Sequence, residues 1–153
     1  MAGQLGRDSR APTGLHVLEL PFTEDEWKRL EELDSCQFGI LNLQSLECNR
    51  DKNLVIKGIS YLSKRLLAWR HQHPDSPDPP SLKAPEDGGP LSLREPGMHN
   101  FLKLGHLHLL CHDFRKALSA YQKYYKSQKD NWKDTALVFG LALTYYHFNA
   151  FLW

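Results

Sequence analysis

One stretch constrains this chain more than any other: Phe101 to Tyr124, which reads FLKLGHLHLLCHDFRKALSAYQKY. Two runs of helical spacing meet at Cys111-His112-Asp113, where Asp113 is placed to N-cap the second. Gly105 in the first run and Ala117 in the second are small, so two antiparallel helices can close together. Phe101, Leu104 and Tyr121 then fill the seam. The spacing predicts helices over about His99 to Cys111 and Asp113 to Lys126. A pair of this kind is a binding scaffold, not a catalyst.

The same positions form the skeleton of the tetratricopeptide (TPR) repeat, W-x2-L-G-x2-Y followed by A-x3-F. Phe101, Leu104, Gly105, His108, Ala117 and Tyr121 fill it. A shift of 37 residues sets Phe101 on Val138, Leu104 on Leu141, Gly105 on Ala142, His108 on Tyr145 and Phe114 on Phe151. A second repeat therefore begins within residues 131–153. Lys116 falls on Trp153, one residue before the counterpart of Ala117. Solenoid ends need a polar cap, and Phe151 and Trp153 supply none. The expectation is the N-terminal part of a longer protein, marginally stable and prone to self-association as it stands, because about three repeats are normally needed to bury their faces.

Upstream, residues 1–21 read as a flexible leader. Thr23 and Glu26 make a capping box, with Phe22 placed to staple onto Trp27. Trp27, Leu30 and Leu33 share one face of a helix running to about Asp34. Val55, Ile59, Leu62, Leu66 and Trp69 alternate by four and three across a second helix over 52–70. Residues 71–97 hold seven of the nine prolines and three glycines, which predicts a disordered insertion between the helical segment 22–70 and the first repeat at 98–130. Asn131 or Asp130 is expected to cap a fifth helix with a stripe of Leu137, Leu141, Tyr145 and Phe148, and a turn at Asn149 to start a sixth. The fold class is all-α: TPR-type hairpins preceded by two N-terminal helices.

The balance of 41% hydrophobic and 24% charged residues suits a soluble globular protein, and a net charge of +1 gives no general pull toward nucleic acid or membrane. No signal-peptide pattern and no membrane-length apolar run occurs. Cys36, Cys48 and Cys111 are odd in number and irregular in spacing, which fits reduced thiols.

Few side chains invite chemistry. His108, Cys111 and His112 are one possible soft-metal set, a small metal-dependent enzyme being the reading that would use them. Packing is the better account, since position 108 is where the repeat places an inward aromatic, while His106 lies about 160° away round the helix. His73-Pro74-Asp75 has the H-x-D spacing of an iron site but lies among prolines with no strand predicted. Motifs for a serine nucleophile, a phosphate loop or a C-x-x-C pair do not occur. Arg115, Lys116, Lys123, Lys126, Lys129 and Lys133 outnumber Asp113, Asp130 and Asp134. A solvated helix face is the default reading, and a weakly positive surface for an acidic peptide the alternative. Tyr121, Tyr124, Tyr125, Tyr145, Tyr146, Phe148, Phe151 and Trp153 read mostly as core and inter-repeat filler.

Three stretches resemble the N-terminal region of the UTX/UTY family of histone lysine demethylases: LDSCQFGI at Leu33 to Ile40, LGHLHLLCHDFRKALSAYQKYYKSQKDNWK at Leu104 to Lys133, and FGLALTYYHFNAFLW at Phe139 to Trp153. The likeness spans residues 22–40 and 99–153 and includes positions that TPR packing does not require. It departs at the proline-rich stretch, which is longer than expected of the family. The resemblance implies a nuclear docking surface for chromatin-modifying assemblies, including COMPASS-like methyltransferase complexes. The family's jumonji domain, with its iron and 2-oxoglutarate, lies far downstream, so no catalytic or cofactor-binding role transfers to any residue here. The alternative is a stand-alone TPR adaptor for a peptide or chaperone tail. Adaptors of that class grip a terminal carboxylate with a lysine and an asparagine, at positions that Leu102 and His106 occupy in this sequence.

Overall fold

The computed structural model describes residues 22–83, 86–87 and 91–149, and all of their regular structure is helical. Helix α1 (Glu24–Glu32) starts as its sequence dictates. The Thr23 hydroxyl accepts from the Glu26 amide at 3.2 Å, and the Glu26 carboxylate accepts from the Thr23 amide at 2.9 Å. Phe22 closes on Trp27 with ring centroids 4.5 Å apart. The helix ends before the expected Asp34 because that residue caps a 3-10 turn at Ser35–Gln37, its carboxylate accepting from the Cys36 amide.

Helix α2 (Asn49–Gln72) exceeds the expected 52–70 at both ends and buries Val55, Leu62 and Leu66. Helices α3 (His99–Leu110) and α4 (Phe114–Ser127) form an antiparallel pair, with Asp113 accepting from the Lys116 amide as the N-cap of α4. Helix α5 (Thr135–His147) follows a 3-10 turn at Asn131–Lys133. Its cap is Asp134, which accepts from the Leu137 amide at 3.0 Å, and not Asn131 or Asp130. The Asn131 side chain is engaged elsewhere, donating to the Tyr125 and Gln128 carbonyls at the end of α4.

Helix α3 is the centre of the molecule. On one side Leu107 and Leu110 join Leu30, Leu33, Val55 and Leu62 of α1 and α2. On the other, Leu109 joins Ala117, Tyr121, Leu137 and Leu141 of α4 and α5. Serving two cores explains why no residue of α3 is exposed, its histidines, Asn100 and Lys103 included. Lys103 ties α1 to it: the ammonium donates to the carbonyls of Glu31 at 2.9 Å and Leu33 at 2.6 Å, closing the C-terminus of α1.

Between α2 and α3 the described residues carry no helix, as their prolines require. Most of the described residues within 74–87 are exposed, but the end of the connection is packed. Leu93 and Met98 are buried, the Met98 amide donates to the Pro80 carbonyl, and Arg94 pairs with Glu24 at 2.6 Å while lying over the Trp27 ring. Proline removes backbone donors, but it does not keep a leucine out of a core. The leader at 1–21 and the residues following Asn149 lie outside the described part.

Candidate protein-docking interface

The α5 sequence, TALVFGLALTYYH, holds no Asp, Glu, Lys or Arg. A helix apolar on every side calls for burial on every side. Leu137, Gly140, Leu141 and Thr144 are buried, and the Thr144 hydroxyl is satisfied by the Gly140 carbonyl at 2.7 Å. The opposite stripe is open: Val138 is 38% exposed, Phe139 43% and Tyr146 63%, with Ala142 exposed between them. Trp132 lies exposed in the turn that leads into the helix. The stripe is held rigidly from behind, since the Ser35 hydroxyl donates to the Ala136 carbonyl at 2.5 Å and His147 stacks on Phe114 at 3.9 Å.

Beneath this helix lies a buried polar pair. The Tyr121 hydroxyl and His106 Nδ1 share a hydrogen bond of 2.8 Å. Burial pushes the His106 imidazole down to about 3, and the cation of Lys103 adds to the shift, so the ring is neutral at physiological pH. Burial raises the Tyr121 phenol as well. Tyr121 is clamped between two glycines. A Cβ at Gly105 would fall 2.5 Å from its ring, and one at Gly140 would meet its hydroxyl. Sequence reasoning identified Gly105 but missed Gly140, whose signal is a lone glycine inside an otherwise apolar helix.

A second open feature lies between α2, α3 and α4, a cleft of about 320 Å³. Leu66, Leu104 and Ala120 form its floor, and Leu67, 56% exposed, forms one wall. Among the described residues that line it are the cations Arg70, Lys116 and Lys123 and no carboxylate. A hollow between α1 and α2 is instead lined by both signs of charge, with Arg29 paired to Asp51 at 2.9 Å and Lys57 to Glu26 at 2.8 Å.

The residues that the sequence assigns to a TPR skeleton divide by side. Leu104, Gly105, Ala117, Tyr121 and Leu141 are buried, whereas Phe101, His108, Phe114 and Tyr145 are half-buried. Gly105 is covered by α4, while its counterpart Ala142 is exposed, and Phe151 lies outside the described residues. The most interior histidine is His106 rather than His108, because α5 covers the side of α3 that a single hairpin leaves bare. His108 faces the cleft, with its imidazole lowered by burial. Cys111 is exposed, and burial pushes its thiol up. His112 adopts a φ of +59° and sets its ring 5.1 Å from that of Phe38. Among the described residues no three His, Cys, Asp or Glu side chains converge as a metal site. His73 stacks on Trp69 at 3.9 Å. No described helix is long and apolar enough to cross a membrane. No model of a known protein family matches the chain, and no solved structure matches it.

Proposed function

We propose that this chain is a protein-interaction scaffold of TPR-type hairpins belonging to a nuclear chromatin regulator. The observation that carries the scaffold reading is the solvent-exposed side of α5, where Val138, Phe139 and Ala142 form an exposed apolar stripe, continued by the exposed ring of Tyr146, on a helix without Asp, Glu, Lys or Arg. Contiguous exposed apolar surface of this sort marks a place where another protein packs. The TPR form is supported by the close approach of α3 to α4 at Gly105 and Tyr121, and by the burial of both Leu104 and Leu141 one repeat apart.

The link to chromatin rests on the resemblance of Leu33 to Ile40, Leu104 to Lys133 and Phe139 to Trp153 to the UTX/UTY demethylases. On this reading the partners are proteins of COMPASS-like methyltransferase complexes. On the same resemblance, demethylation with iron and 2-oxoglutarate is the work of the family's jumonji domain, and the role proposed for these residues is docking. Immobilised protein exposed to nuclear extract tests this by quantitative mass spectrometry. Methyltransferase-complex subunits are expected to be enriched on the natural chain and lost with Phe139→Glu plus Tyr146→Glu. Enrichment of chaperones in their place would favour the stand-alone adaptor, and retention of nothing above a blank support would contradict both.

A further inference from the structure

We propose that the cleft between α2, α3 and α4 docks a short acidic segment of a partner protein, one in which an aliphatic or aromatic side chain is flanked by carboxylates. This rests on the scaffold reading and adds the chemistry of the occupant. The floor of Leu66, Leu104 and Ala120 is apolar, and the space of about 320 Å³ above it is enough for a leucine or phenylalanine side chain. Leu67 stands exposed at its wall, a large apolar group that an entering side chain would cover.

The rim fixes the sign of the ligand. Arg70, Lys116 and Lys123 come from two helices and face one opening, and none of the described lining residues is acidic. Arg70 has no carboxylate partner among the described residues, and Lys116 has only a loose 3.5 Å contact with Asp113 one turn before it. Lys123 lies 5.1 Å above the Phe101 ring and meets the Asp78 carboxylate at 3.2 Å. Asp78 belongs to the proline-rich connection, whose Pro77 also lines the cleft. The chain thus already places a carboxylate of its own on this rim, beside an apolar ring. Asp78 and Lys123 are both exposed, so their contact is weak and exchangeable. An incoming acidic segment gains Arg70 and Lys116 and displaces Asp78 from Lys123, which makes the connection a built-in competitor.

Fluorescence anisotropy with a fluorescein-labelled peptide, Glu-Asp-Leu-Phe-Asp-Glu, tests the proposal on the full chain. Saturable binding is expected, weakened about tenfold by Arg70→Gln with Lys123→Gln and weakened again at high salt. Replacing Leu-Phe in the peptide by Ser-Ser, or Leu67 by Ser in the protein, is also expected to weaken it. Asp78→Asn should strengthen binding about threefold, a gain that a misfolded variant cannot produce. All four substituted side chains are exposed, and circular dichroism checks that the variants stay folded. Absence of binding, indifference to Arg70 and Lys123, or displacement of the peptide by single-stranded DNA at lower concentration would each overturn the proposal. If Arg70→Gln with Lys123→Gln still captures methyltransferase subunits while the peptide fails to bind, the cleft inference falls and the scaffold reading stands.

Discussion

Tyr121 lies against Gly105 with its ring edge and against Gly140 with its hydroxyl, so α3, α4 and α5 all touch one side chain. Overpacking of such a contact costs about 1–3 kcal/mol, while alanine gains about 1 kcal/mol of helix propensity over glycine. Gly105→Ala is therefore expected to lower the unfolding free energy by up to about 2 kcal/mol in urea, and a rise would contradict the clamp. The neutral His106 behind Tyr121 gives a pH dependence. Its folded pKa of about 3 lies below the ordinary 6.5, so the unfolded chain binds a proton that the native one refuses. Stability then falls as pH drops from 6.5 toward 3, by at most about 1.4 kcal/mol per pH unit for this one ring. Burial lowers His99 and His108 in the same direction. The depressed carboxylates Glu26 and Asp51 add their share as the pH falls through and below their ordinary 4.5 and 3.8. Urea titrations at pH 7 and pH 5 are expected to differ for the natural chain and to differ less for His106→Gln. An equal difference in both proteins would show that His106 is not held neutral. The skeleton spacing made Gly105 and Tyr121 legible in the sequence. It pointed to His108 as the inward histidine because a hairpin taken alone does not show that α5 comes down on the His106 side.

At the scale of elements, the capping box, the aromatic staple and the Asp113 cap could all be read from local sequence, since each partner lies within a few residues of the other. The 3-10 turn at Ser35–Gln37 and the Asp134 cap were not legible. Several adjacent Asp, Asn and Ser residues compete for such roles, and tertiary partners such as the Ala136 carbonyl decide between them. Nor does the sequence reveal that Leu93 and Met98 enter the core, because proline density reports on backbone hydrogen bonding and not on side-chain burial. Lys103 ties α3 to α1: its half-buried ammonium, lowered to about 8 by desolvation, donates to two carbonyls at the end of α1. Lys103→Met leaves both carbonyls without that donor, at a cost of about 1–3 kcal/mol. Faster hydrogen exchange in α1, with little change in α4, is the expected result. Unchanged protection of α1 would mean that the bidentate Arg29–Asp51 contact suffices to hold it.

At the scale of the whole molecule, α3 joins two small cores and α5 closes only one side of its own surface. A solvent-exposed apolar stripe with no Asp, Glu, Lys or Arg tends to associate with another apolar surface. Sedimentation velocity is expected to show concentration-dependent association of the natural chain, and a monomer for Phe139→Glu with Tyr146→Glu. A monomer in both cases would show that the stripe tolerates water. The account as a whole stands on α5 being a surface that receives protein. Its most direct test places a photo-crosslinking benzoylphenylalanine at Phe139, with the exposed Lys28 position on α1 as control, and irradiates each protein in nuclear extract. Crosslinks from position 139 to methyltransferase-complex subunits, absent from position 28, are the predicted result. Equal labelling from both positions, or none from 139, would contradict it.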